Sequence, residues 1–368
     1  MKIPRWLVYA GAAAGVFLLA LYWYPLRFRI LHGINDFLSF YCGGVLMGSP
    51  AQYDPAAYQN LEAALTGYTG DAWLFIRLPA FALPFRALSR LPFPAAYFAW
   101  QSLMLAALIC FVRISPKEQR KWMALALCWS FPLSSAFVNG QDDAILLLWI
   151  ALALRWAEKR PLAAGLILSL CAMKFHLFLL LPVALLAARR WKMLAGLTAA
   201  GAGIFGLCFV AAGPHWLGPY LQAVLNPATN PHADMMPNLR GLVAGLPDAG
   251  PLEILLGLGV AACVWRIAAR QSLAAGMAGA VLGGLLVSHH DYLADLVLLV
   301  PAVLTFSTRF AITPIRILGM VLLVPIWFVL PLSWIVAPVM LGLLGVVTYA
   351  SSTLLTERCQ EPGITLAA

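Results

Sequence analysis

Charge is scarce in this sequence: only 11% of its 368 residues are charged, against about 25% in an average soluble domain. A water-facing surface cannot be built from so few, and the 62% hydrophobic content points to burial in lipid instead. Paired cysteines are also missing. The seven that occur (42, 110, 128, 171, 208, 263 and 359) are scattered through mostly apolar runs without a CxxC pair. They exclude a disulfide framework and read as small hydrophobes packed between helices. No Walker A, G-x-S-x-G or H-E-x-x-H pattern appears, which leaves nucleotide-driven transport and the common soluble-enzyme mechanisms without support.

What is present is a succession of long apolar stretches that read as membrane spans. The pattern predicts an all-α polytopic membrane protein, one transmembrane domain over 1–368, with about twelve helices. They are placed at roughly 6–24, 95–112, 122–138, 143–156, 161–173, 175–188, 193–212, 252–268, 272–288, 292–308, 315–331 and 333–351. The first run continues to Tyr24 without an A-x-A cleavage site and is read as an anchor.

The net charge of +9 is unevenly distributed. With the N-terminus inside, the short basic linkers RISPKEQRK, EKRP and RRWK all fall on the inner side, as the positive-inside rule requires. Every aspartate (36, 54, 71, 142, 143, 234, 248, 291 and 295) falls outside, leaving Glu118, Glu158, Glu357 and Glu361 within. The histidines (32, 176, 215, 232, 289 and 290) also lie on or near outer loops. Helix capping and longer outer loops account for part of this bias. Titratable groups gathered on one face are equally what an active site needs.

Two outer segments are long: 25–94 and 213–250. The first is too apolar to float free. Its proline-broken pieces predict interfacial helices, with Trp73, Phe75, Phe81 and Phe85 at headgroup depth and Arg77, Arg86 and Arg90 near lipid phosphates. The second is turn-rich and reads equally as a lid or as a connector.

Four clusters are candidates for chemistry. In GINDFLSFYCGG (33–44), Asp36 follows the first span, where an acid is a functional-site hypothesis; Asn35 and Asp36 also both suit a helix N-cap. In NGQDD (139–143), Asn139, Gln141 and Asp142 suit a polyhydroxylated ligand, while Asp142 or Asp143 suits a cap. In MKFH (173–176), Lys174 is costly in an apolar stretch unless paired or wetted, so Lys174 and His176 read as ligands for an anion such as phosphate, against simple snorkelling. In SHHDYLAD (288–295), His289, His290 and Asp291 sit at a helix mouth and read as a metal site, an acid–base group or a sugar-binding group, with capping by Ser288 or Asp291 the alternative. Adjacent histidines diverge on a helix, so no metal site is expected.

The order of NDF at 35–37, LMGSPAQYDP at 46–55, NGQDD at 139–143, AAGLILSLCAMKFHLFLLLPVALLAARRW at 163–191 and the H-x-D at 289–291 resembles glycosyltransferase family 87. The resemblance covers roughly residues 30–295. It implies a GT-C-like bundle, a polyprenyl-phosphate sugar (most often mannose) as donor, and a site facing the exterior of a bacterial plasma membrane. It maps the catalytic aspartate onto Asp36 and the donor-contacting lysine onto Lys174. Members commonly carry Asn after G-Q and Pro after the lysine, where this chain has Asp142 and Phe175.

On that resemblance Asp36 is the base for an acceptor hydroxyl, with inversion at the anomeric carbon. Lys174, His176 or Arg240 meets the donor phosphate, and Asn139, Gln141, Asp142, His289, His290 and Asp291 meet sugar or acceptor. No cofactor, metal or nucleic-acid partner is implied; membrane lipids and a glycolipid or glycan acceptor are. The rival reading is a transporter or flippase of lipid-linked sugars, which predicts midplane polar residues in both halves and an inner gate. A non-catalytic scaffold, in which the outer acids would be dispensable, is the third.

Overall fold

Apolar runs closed by proline, glycine and small polar residues become helices throughout, and the described residues contain no strand. The computed structural model describes residues 5–226, 233–310, 312–323 and 333–360. His232, Glu361, the middle of the second outer loop and the latter part of the expected 315–331 span lie outside these, as does the Glu357 side chain.

The chain forms two compact units, Met1–Phe175 with Ala195–His232, and His176–Leu194 with Ala233–Ala368. The first contains α1 (Arg5–His32), α2 (Asp36–Leu46), α3 (Pro55–Thr66), α4 (Leu83–Leu88), α5 (Phe93–Ile114), α6 (Arg120–Cys128), α7 (Phe131–Asn139), α8 (Asp143–Trp156) and α9 (Pro161–Leu168). After α10 (Leu181–Ala187) of the second unit, α11 (Trp191–Ala212) and α12 (Leu217–Leu225) complete most of the first. The second unit continues with α13 (Leu239–Val243), α14 (Ala249–Arg270), α15 (Leu273–Val287), α16 (Leu299–Arg309), α17 (Thr313–Leu323) and α18 (Ser333–Gln360).

Among the described residues, six helical stretches are long and apolar enough to cross a membrane: Tyr9–Leu46, Phe93–Ile114, Pro161–Phe178, Trp191–Ala212, Ala249–Arg270 and Ile335–Thr353. A seventh is formed if α6 and α7, bent by 64° at their junction, count as one span. The bend has a local cause: Ser130 caps α7 by accepting from Leu133 N, and Pro132 follows in its first turn. Other expected spans are shorter helices. α8, at 14 residues, measures about 21 Å against a ~30 Å hydrocarbon core. α1 runs past Tyr24 and through Pro25 to His32, so Arg27 and Arg29 ride on its last turns instead of opening a loop.

The core of the first unit is built round α2. Residues Phe37 to Gly44 of this helix are all buried. Phe37 packs against Tyr97 with ring centroids 5.5 Å apart, and Phe85 against Trp100 at 4.8 Å. Phe75, Phe81 and Phe85, expected at the lipid headgroups, are buried here. The flanking backbone is tethered: Tyr41 donates from its hydroxyl to Leu91 O (2.9 Å), and Tyr53 to Arg77 O (2.9 Å).

In the second unit, α14 and α15 form a hairpin whose turn is capped by Ser272. α15 is buried on all sides, and its small residues admit close neighbours, the Leu177 carbonyl against Gly284 among them.

Glu62 on α3 fixes the segment that follows. Its fully buried carboxylate accepts from Trp73 N at 3.1 and 3.3 Å. Burial raises its pKa from 4.5 to about 7, outweighing the lowering effect of the Trp73 N–H. Folding therefore favours the protonated form: its stabilisation is complete below about 4.5 and is lost as pH rises through about 7. Thermal unfolding of the wild type should weaken across that window, and Glu62→Gln should flatten the dependence. An unchanged slope in the variant would assign the effect elsewhere.

Candidate active site

The first turn of α2 is where the sequence left two roles open, and the structure divides them. Gly33, at φ +64°, breaks the chain after α1, and Asn35 then takes the extended N-cap geometry and accepts from Phe37 N at 3.1 Å. Capping falls to Asn35. Asp36 is the first residue of the helix proper, partly exposed, with its carboxylate beside the helix N-terminus.

Gln141 reaches Asp36 from the turn between α7 and α8, donating from Nε2 to Oδ2. That turn is tightly specified. Gly140 ends α7 at φ +67°, and a Cβ there would come within 2.7 Å of Phe37 Cβ. Trp100 Nε1 donates to Gly140 O (2.9 Å), and Gln101 Nε2 to Phe137 O (2.6 Å), which also accepts from Gly140 N.

The next residue anchors a buried ion network. Asp142 accepts from both terminal nitrogens of Arg77, a two-pronged pairing. Lys174 lies 3.4 Å from Asp142 Oδ1 and 2.8 Å from Asp143 Oδ1. Both aspartates are fully buried, and Arg77 and Lys174 are 10% and 6% exposed. Burial alone would raise the Asp142 carboxyl; the charges of Arg77 and Lys174 outweigh it and hold the group below the ordinary carboxylate range. Arg77 also lies 4.5 Å from the ring centroid of Phe40, one helical turn beyond Asp36. The backbone leaves helical geometry at Lys174 (φ −123°, ψ 56°), within the 3-10 stretch Ser169–Phe178.

Asp36, Gln141, Asp142 and Lys174, singled out in the sequence, thus form one assembly with Arg77 and Asp143. Asn139 is close by in the chain, its amide donating to Ser135 Oγ at 3.2 Å. Arg77 was missed as a site residue because its aromatic neighbours gave it the appearance of an interfacial arginine. The available signal was Asp142 itself, an acid following G-Q that needs a cation when buried.

The other singled-out residues belong to the second unit. His176 meets His289 and His290 with ring centroids 5.3 and 5.8 Å away. Arg240 donates to His289 O (3.2 Å), and Asn238 to Ser288 O (2.8 Å). Burial, and after it the charge of Arg240, lowers the His289 pKa, favouring the neutral imidazole. Asp291 is fully buried. His176, His289, His290 and Arg240 thus form a second polar cluster of imidazoles and a guanidinium, with Asp291 next in the chain.

The family model described as Glycosyltransferase family 87 matches residues 75–301, a stretch that begins after Asp36 and includes Arg77, Gln141, Lys174 and His289. The polyprenol-phosphate-mannose-dependent alpha-(1-2)-phosphatidylinositol pentamannoside mannosyltransferase of Mycolicibacterium smegmatis is 30% identical over 275 residues. That similarity covers 68% of this chain and 62% of the relative, so the chain spans under two thirds of the relative's length. No solved structure matches.

The ion network predicts an asymmetric response to mutation. Asp142→Asn leaves Arg77 buried without its carboxylate and should cost about 3–5 kcal/mol. Replacing both partners, Arg77→Met with Asp142→Leu, leaves the Lys174–Asp143 pair balanced and should cost much less. Unfolding of the single and double variants in detergent compares the two; equal losses would sink the account.

Proposed function

The chain belongs to glycosyltransferase family 87, and from that membership we propose that it moves a sugar from a polyprenyl-phosphate donor to an acceptor hydroxyl, with Asp36 as the base. The sugar is mannose, as in the name of the M. smegmatis relative, and the acceptor is a lipid-borne glycan. On this reading the architecture is GT-C-like, with about twelve spans once the short and bent helices are counted with the full crossings. The reaction takes place at the outer face of a bacterial plasma membrane.

The observation that carries the proposal is the contact between Gln141 and Asp36. A partly exposed carboxylate stands at the open end of a buried helix, oriented by an amide whose own loop is locked by the Arg77–Asp142 pair. A carboxylate has lone pairs on two oxygens, so a hydrogen bond from Gln141 orients Asp36 while leaving it able to take a proton. The acceptor oxygen attacks the anomeric carbon and the bond from that carbon to the phosphate oxygen breaks. Polyprenyl phosphate departs with the electron pair, and Asp36 takes the hydroxyl proton. Attack opposite the leaving group inverts the anomeric centre. An aspartate is a weak base, so its contribution rests on position more than on basicity.

The leaving phosphate needs cationic or hydrogen-bonding partners. Lys174 is the proposed ligand in the first unit, exchanging part of its pairing with Asp142 and Asp143 for the phosphate. The second unit's cluster of His176, Arg240, His289, His290 and Asp291 is proposed separately, as a group able to bind phosphate or sugar.

Asp36→Asn keeps the size of the side chain and removes its basicity. Label transfer from polyprenyl-phosphate mannose to a lipid-borne mannoside should fall by about 10²–10⁴-fold, with unfolding temperature unchanged. Full activity in this variant would remove Asp36 as the base. A wild type that transfers no label but carries lipid-linked sugar across vesicle membranes would decide for the transporter.

A further inference from the structure

A cavity of about 740 Å³ lies inside the first unit between α1, α5, α6 and α7. Its walls are almost wholly apolar, with Leu105, Ile109, Leu127 and Leu133 among them. It follows α5 from Tyr97 to Arg113. The sixteen helical steps between them correspond to about 24 Å, most of the depth of a ~30 Å hydrocarbon core. Val16, Phe98, Leu105 and Ile109 are exposed, so the cavity opens sideways along its length and not through a narrow mouth.

Its two ends differ in chemistry. At one end stands Gln101, whose Nε2 donates to Tyr97 Oη (2.8 Å) and to Phe137 O (2.6 Å). Those two bonds fix the amide's orientation and leave Gln101 Oε1 a buried acceptor with no partner among the described residues. This end adjoins the catalytic turn: Gln101 binds the last turn of α7, and Gln141, four residues on from Phe137, holds Asp36. At the other end stands Arg113.

We infer that this cavity holds the hydrocarbon chain of the lipid-borne acceptor, threaded so that its uncharged, hydroxyl-bearing head lies at Gln101 and the acceptor hydroxyl reaches Asp36. The inference rests on the reading of Asp36 as the base. An unpartnered carbonyl oxygen takes a hydroxyl donor and repels a phosphate oxygen. That selects against the polyprenyl-phosphate donor, whose charged group must sit beside the reacting carbon. It also selects against a phospholipid whose phosphate approaches from the Gln101 end. A bilayer phospholipid anchored at Arg113 remains the competing occupant.

The test uses the full-length protein in phosphatidylcholine nanodiscs and hexadecyl mannoside carrying a diazirine in its chain. Label should appear in peptides spanning residues 97–113 and fall at least about five-fold on competition with hexadecyl mannoside. Leu105→Trp, which fills the cavity, should lower it similarly, and Ile109→Trp on the open wall serves if that variant does not fold. Diazirine-bearing phosphatidylglycerol that labels the same peptides and resists competition by the mannoside would assign the cavity to bilayer lipid and overturn the inference. In transfer assays, Leu105→Trp should raise the ratio of KM for hexadecyl mannoside to KM for methyl mannoside by about ten-fold; an unchanged ratio with label elsewhere also overturns it. Labelling as expected without transfer by the wild type would uphold the cavity assignment and refute the proposed reaction.

Discussion

Two buried aspartates require two buried cations, and this requirement organises the first unit. Asp142 and Asp143 adjoin the turn that presents Gln141, so neither can move toward water without displacing the residue that holds Asp36. Arg77 must come from the segment after α3, and Lys174 from a break in the helical chain beyond α9. A lone buried charge costs several kcal/mol, whereas a neutral group of four with two-pronged geometry recovers much of that through mutual attraction. The network thereby fixes α2, the segment before α4 and the α7–α8 turn relative to one another.

The same constraint explains what was legible in the sequence. Asp36, Gln141, Asp142 and Lys174 stand out because polar residues in an apolar chain are expensive, and all four meet within the first unit. Helical content was readable from the same scarcity of charge. Arg77 was hidden because a contact across 65 positions leaves no local trace, and because arginine beside aromatics is also the signature of a lipid interface. Whether Asn35 or Asp36 would cap α2 was undecidable from residue type, since both side chains can accept from a helix N-terminus; backbone geometry decided it.

Element boundaries were the least legible feature. The α6–α7 bend and the non-helical backbone at Lys174 fall inside apolar runs that read as continuous. Hydropathy registers how greasy a stretch is and says little of where a serine hydroxyl or a proline ring ends the hydrogen-bond ladder. The histidines around His289 posed a different difficulty. Their convergence with His176 depends on the turn after α15, where Ser288 donates to the His290 carbonyl, and no periodic pattern announces such a turn.

The separation in sequence between Arg77 and Asp142 also bears on biosynthesis. α1 and α2 leave the ribosome long before the α7–α8 turn exists, so Asp36 is made without Gln141 and Arg77 without its carboxylate. Until residue 142 has emerged, the Arg77 guanidinium has no Asp142 to pair with, and burying it is costly. The nascent chain therefore has an electrostatic reason to postpone closing its aromatic core, and synthesis of the α7–α8 turn releases it.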